Sequence, residues 1–222
     1  MATFKKKHIF FFKGTRVKIW DEYKSFTEIP KLVHGKNSGI IKLEKSKEPV
    51  QFDSELEKEV LLSMDNCTFI KEIKTQSLEI IYKGKGGKRD HQYIPDIQLL
   101  QYGGAIIIIE VKPFKEMVNS TVLRKSKALR KYCYKHGYGH AIVDIIGNDF
   151  YTFEDIKKEK VSKDIQDRFI EYVKEKEEVT FPECKPFEEE YDINDKQICN
   201  IIWRNQRKLK YQQHKIIFKK KK

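Results

Sequence analysis

Tyr93-Ile-Pro-Asp-Ile-Gln-Leu-Leu-Gln-Tyr-Gly-Gly-Ala-Ile-Ile-Ile-Ile-Glu-Val-Lys112 is the stretch of this chain whose reading decides the fold. It reads as two β-strands joined by a tight turn at Gly103-Gly104, because glycine reaches the positive φ that such turns need. Folding the hairpin about that turn brings Asp96 near Glu110, and opposed residues of an antiparallel pair have Cβ atoms about 4.5–5.5 Å apart. Glu110 and Lys112 are two residues apart, so they point to the same face of their strand. Two carboxylates and a lysine then meet at one end of an apolar hairpin. Carboxylates that close repel unless a cation sits between them. A divalent metal resolves the conflict, because Mg²⁺ takes carboxylate oxygens and keeps waters for a phosphate substrate.

The sequence on either side extends this reading. Upstream, Ser54 followed by Glu57 fits a capping box, and Leu56, Val60, Leu61 and Met64 form the apolar face of the helix it would start. Glu57 stands three and four residues before Val60 and Leu61, so it lies on or beside the buried stripe. An acid there either caps the helix, reaches the metal site, or does both. Residues 68–83 read as extended chain ending in a strand. Lys83 to Arg89 is a glycine-rich basic loop that lacks the Gly-Lys-Ser/Thr ending of a nucleotide P-loop; it is either a plain exposed turn or a phosphate contact through Lys85, Lys88 and Arg89. Downstream, Pro113 stops the strand. A helix follows from about Ser120 to His136, with Val122, Leu129 and Tyr132 or Cys133 inward, and Gly137 and Gly139 end it. Arg124, Lys125, Lys127, Arg130 and Lys131 crowd its other faces, a plausible surface for a nucleic-acid backbone. His140 to Ile146 reads as a buried strand.

Pro95-Asp96, thirteen residues, then Glu110-Val111-Lys112 resembles the signature of the PD-(D/E)xK nuclease superfamily. The order helix, three strands, helix, strand matches that superfamily's restriction-endonuclease-like core, an α/β fold with a mixed central sheet flanked by helices. Within the superfamily, the stretch from Gly39 to Ile146 most resembles the N-terminal domain of TnsA endonucleases, which partner the transposase in heteromeric transposition systems. The match rests on Lys42 to Lys47, Ser54-Glu55-Leu56-Glu57, Gln76 ahead of a strand ending at Tyr82, Tyr93-Ile94-Pro95-Asp96 and Glu110-Val111-Lys112-Pro113. The resemblance implies phosphodiester hydrolysis with one or two Mg²⁺ or Mn²⁺ ions. Asp96, Glu110 and the Val111 carbonyl would be ligands, Glu57 would hold a second metal or a metal water, and Lys112 would orient the attacking water. It implies double-stranded DNA as substrate, with a DDE transposase subunit, an AAA+ regulator or a second copy of the chain as partners. A phage DNA-processing nuclease or Holliday-junction enzyme would keep the same chemistry in another setting. A non-enzyme reading, a silent DNA-binding assembly subunit, keeps the fold alone, but it has no need of Glu57, Asp96, Glu110 and Lys112 together.

Composition agrees with a nucleic-acid partner. The 222 residues carry a net charge of +12, which suits DNA or an anionic surface. No cysteine pair has zinc-knuckle spacing, and Cys133, His136 and His140 lack a fourth ligand. Four scattered cysteines point to a reducing compartment. The short Ile9–Phe12 run is no signal segment, and no apolar run reaches membrane-span length. A soluble protein, cytoplasmic in a bacterial or phage-infected cell, is expected. Three parts are expected: a basic N-terminal arm over 1–50, the nuclease core over 51–150 and a helical C-terminal extension over 151–222 with a basic tail. In the first, Phe10, Phe11 and Phe12 either accompany lysines onto DNA or dock on the core. In the last, the stripe Ile156, Val161, Ile165, Phe169 and Val173 predicts one or two helices, 181–195 reads as an acidic linker, and 194–213 as a final helix.

Overall fold

The computed structural model describes residues 1–11, 38–83 and 89–220. They form two compact units, Met1–Pro113 with Lys125–Thr152, and Phe114–Arg124 with Phe153–Lys222. Both are mixed α/β, and their boundaries differ from the expected three parts.

The first unit opens with an antiparallel pair, β1 (Gly39–Ile41) and β2 (Val50–Phe52), followed by helix α1 (Glu55–Asp65). Ser54 caps α1 by accepting a hydrogen bond from the Glu57 amide at 3.2 Å. Satisfying an amide that has no partner within the helix defines where the helix begins. Then come β3 (Ile70–Thr75), the hairpin β4 (Ile80–Lys83) and β5 (Asp90–Tyr93), β6 (Ile97–Gln101), β7 (Ile106–Val111), helix α2 (Ser120–His136), β8 (Gly139–Ile146) and β9 (Asp149–Thr152). The five-stranded sheet has the order β3-β6-β7-β8-β9, with β7 and β8 parallel and the other pairs antiparallel.

The run of four isoleucines in β7 is explained by this layering. Ile107 and Ile109 pack in one core with Val60, Leu61 and Met64 of α1. Ile106 and Ile108 pack in a second core with Leu129 and Cys133 of α2. Side chains alternate along a strand, so a strand covered on both faces must be apolar at every position. Glu110, next but one after Ile108, continues the α2-side face.

The hairpin turn is wider than the expected two-residue Gly-Gly turn. The Gly104 amide donates to the Gln101 carbonyl and the Gln101 amide to the Ala105 carbonyl, both at 2.9 Å. Gly104 alone of the two glycines has positive φ, at 79°. This is a three-residue loop closed by a left-handed residue. The strands keep the register Ile97↔Ile109, which extended by one residue sets Asp96 opposite Glu110.

The first eleven residues do not extend away as an arm. Ala2, Phe4 and Ile9 are buried in the α1-side core, and Phe10 pairs with His140 along β8. Gly139 permits this close approach, because a Cβ there would lie 2.7 Å from the Phe11 ring. Phe12, Lys13, Arg16 and Lys18 lie outside the described residues.

The second unit contains α3 (Phe153–Lys158), α4 (Lys163–Lys176), β10 (Glu178–Thr180), α5 (Lys185–Tyr191), α6 (Asp195–Arg204), β11 (Leu209–Gln212) and β12 (Lys215–Phe218). Its strands form an antiparallel sheet in the order β10-β12-β11, so a small sheet accompanies the helices expected there. The expected linker is also folded: Phe181, Cys184 and Phe187 are buried. Their spacing of three is helical, but the intervening acids mask it, and Pro186 near the start of α5 is tolerated there because its missing N–H costs no bond. The final helix ends at Arg204, and Leu209 belongs to a strand.

Candidate active site

Glu110 is the last residue but one of β7 and is only 2% exposed. Asp96 stands just before β6, behind Pro95, where the chain turns into the sheet. The Asp96 Oδ2 accepts hydrogen bonds from the Val111 amide at 2.7 Å and from Lys112 Nζ at 3.3 Å. Lys112 Nζ also lies 3.1 Å from Glu110 Oε1 and donates to the Val111 carbonyl at 2.7 Å. One ammonium is thus held by two carboxylate oxygens and a backbone carbonyl. The other oxygen of Glu110, Oε2, accepts from the buried hydroxyl of Tyr93 at 2.6 Å.

These contacts set the protonation of the cluster. Burial and then the charge of Glu110 raise Asp96 to about 7, against the opposing pull of Lys112. Burial disfavours the Lys112 ammonium, but Asp96 and Glu110 outweigh it and hold Lys112 above the usual lysine range. Burial and the neighbouring Glu110 also keep the Tyr93 phenol protonated far beyond its ordinary value, so it remains a donor.

Glu57 sits beside this cluster on the first turn of α1. Its Oε2 accepts from the Asp53 amide at 2.8 Å, one residue earlier than a standard capping box reaches. Burial raises its pKa, while the Asp53 hydrogen bond and the charge of Lys112 lower it. Glu57 in turn acts on Asp96 and Lys112 through its charge. Among the described residues, no three Asp, Glu, His or Cys side chains are gathered as a ready metal-ligand set. Asp96, Glu110, Val111 and Lys112 therefore meet directly, with Glu57 as an electrostatic neighbour.

Two further residues contribute that the sequence reading left without roles. Tyr93 orients Glu110; its signal is that it is the sole buried residue of β5. Gln76 donates from Nε2 to Asp53 Oδ2 at 2.9 Å and from its backbone amide to the Asp96 carbonyl at 3.0 Å. No local pattern reveals that pairing, because Gln76 and Asp53 are 23 residues apart.

The expected DNA contacts divide. Lys85 and Lys88 lie outside the described residues. Arg89 is exposed ahead of β5, and Arg124, Lys127, Arg130 and Lys131 are exposed on α2. Lys125 is half-buried and lies over the Tyr93 ring at 5.1 Å from its centroid. No helix among the described residues is long and apolar enough to cross a membrane.

No curated protein matches the chain. Glu57 lies ahead of the matched segment, which takes in both arms of the Asp96–Glu110 hairpin, α2 and most of β8. That segment, residues 68–144, matches the family described as TnsA-like endonuclease N terminal, and Asp96, Glu110 and Lys112 all fall within it.

Proposed function

We propose that this protein is a metal-dependent DNA endonuclease with a restriction-endonuclease-like core, acting as a TnsA-like subunit at the ends of mobile-element DNA. The observation that carries the reading is the convergence of Asp96 Oδ2, Glu110 Oε1 and the Val111 carbonyl on a single ammonium. Lys112 occupies the position of a cation among three hard oxygen donors, the donor set that Mg²⁺ or Mn²⁺ prefers. Asp96, Glu110 and the Val111 carbonyl would hold the ion, and Glu57 would hold a second ion or its water. When bound, such an ion supplies a water of lowered pKa and neutralises charge on the leaving oxygen.

The protein's own groups do the rest. Tyr93 holds Glu110 Oε2, which leaves Oε1 facing the cluster. Lys112, once released from the three oxygens, is a mobile point charge able to orient the attacking water and offset charge on the phosphate. Arg89 and the exposed cations of α2, Arg124, Lys127, Arg130 and Lys131, together with Lys85 and Lys88, would contact backbone phosphates; Lys125 would act beside Tyr93. A DDE transposase subunit and an AAA+ regulator are the partners that this reading names.

The test is nicking of supercoiled and branched double-stranded DNA in Mg²⁺ or Mn²⁺. Wild type should cut, and Asp96→Ala and Lys112→Ala should lose about 10²–10³-fold in rate, the usual cost of removing a group that stabilises the transition state. Equal cutting by all three proteins rejects the site.

A further inference from the structure

Gln76 directly follows β3, and its φ of 47° is in the left-handed region. Glycine takes that conformation freely, whereas a residue with a long side chain is strained by about 1–3 kcal/mol. A glutamine there calls for a contact that a glycine would not make. The pairing of β3 with β6 runs Thr75↔Ile97, so one step further Gln76 stands opposite Asp96. Its backbone amide donates to the Asp96 carbonyl, and its side-chain amide reaches Asp53 Oδ2. Gln51 Nε2 donates to the other Asp53 oxygen at 3.0 Å, and the Asp53 amide holds Glu57 Oε2. A continuous path of hydrogen bonds therefore runs from the Asp96 backbone through Gln76 and Asp53 to the Glu57 carboxylate.

We propose that Gln76 is a positioning residue: it ties the Asp53–Glu57 turn to the Asp96 strand and sets how the two acid-bearing segments face one another around a divalent cation. This inference rests on the endonuclease reading. Asp96 and Glu110 share one hairpin, so their spacing follows from strand register alone. Glu57 lies on a separate helix and has no such constraint. Gln76 supplies it, bonded to one segment by its backbone and to the other by its side chain. Because the side-chain hydrogen bond goes to Asp53 rather than to the three oxygens around Lys112, it acts through Asp53.

The experiment uses Gln76→Gly, Gln76→Asn and Asp53→Asn in the full chain. Gly and Asn both accept a left-handed φ, so each removes the tether without adding strain. Thermal melting without metal, Mn²⁺ titration by calorimetry, and kcat and KM for nicking are measured. The expected result is an unchanged or raised Tm for both Gln76 variants, Mn²⁺ affinity and kcat each about 10–100-fold lower, and an unchanged KM for DNA, the usual cost of losing a partner that orients a ligand. Asp53→Asn should reproduce the loss, and adding Gln76→Gly to it should cost nothing further. Wild-type Mn²⁺ affinity and kcat in Gln76→Gly overturn the positioning role, as does a loss that simply adds to that of Asp53→Asn. Those outcomes leave the endonuclease reading standing if Asp96→Ala is still inactive. A wild-type protein that neither binds Mn²⁺ nor nicks DNA overturns both.

Discussion

Each unit of this protein sets a buried glutamate beside a half-buried aspartate, and the two pairs are neutralised differently. In the first unit Asp96 and Glu110 share a single cation, Lys112, and the charge of Glu57 adds to theirs. In the second, Glu188 and Asp195 each have their own: Lys185 pairs with Glu188 and Lys115 with Asp195. Burial and a hydrogen bond with Asp195 raise Glu188, while bonds to Glu188 and Lys115 outweigh burial and hold Asp195 below its ordinary value. The second cluster is balanced, two lysines for two acids. The first is short of positive charge, and a backbone carbonyl points at the same spot. Nearness of acids is common to both, so the shortage of charge and the extra carbonyl are what make one of them a candidate cation site.

The largest effect that can break this comparison is pH. Asp96 keeps its proton to about 7 in the folded chain, against 3.8 for the unfolded carboxyl. Between those values the folded state binds more protons than the unfolded state, so stability of the metal-free protein falls as pH rises, by up to about 1.4 kcal/mol per pH unit. Urea titrations across that window should show the slope in wild type and lose it in Asp96→Asn. Glu188 belongs to the other cluster, so Glu188→Gln should leave the slope in place. A slope that survives Asp96→Asn would dissolve the distinction between the two clusters.

Metal addition gives the next largest effect. At neutral pH, Mg²⁺ or Mn²⁺ at a hundred times its Kd should stabilise wild type by about 2.7 kcal/mol, read as a rise in Tm. Glu188→Gln should keep that rise and Asp96→Asn should lose it. The same rise in both variants would place the ion elsewhere.

Tyr93→Phe gives the smallest effect and sharpens the account of Glu110. It removes the donor to Oε2 while Lys112 remains on Oε1, and should lower stability by about 1.5 kcal/mol in denaturant titration, the lower end for a bond to a charged acceptor. Mn²⁺ affinity should fall with it, since Glu110 is then free to turn. Unchanged affinity would reduce Tyr93 to a packing role.

Legibility from sequence follows separation along the chain. The α1 cap at Ser54 spans three residues, and the even-numbered face of β7 repeats every two, so both are visible in a linear pattern. The hairpin places Asp96 beside Glu110 although its loop has three residues rather than two, because the apolar runs on either side hold the register. The second unit was harder to read. Acids between Phe181, Cys184 and Phe187 hid a buried face, and β11 and β12 are only four residues each, too short for alternation to stand out.

The sequence by itself determined the acids and the lysine, the strand pair that carries them and the family they resemble, because strand alternation and turn chemistry are local. Only the tertiary structure decided that Lys112 stands where a cation would, that Tyr93 holds one oxygen of Glu110, and that Gln76 links Asp53 to Asp96. Those contacts join segments up to 23 residues apart. They form because two helices close over opposite faces of one sheet, and burial then favours pairing among the polar groups caught beneath them.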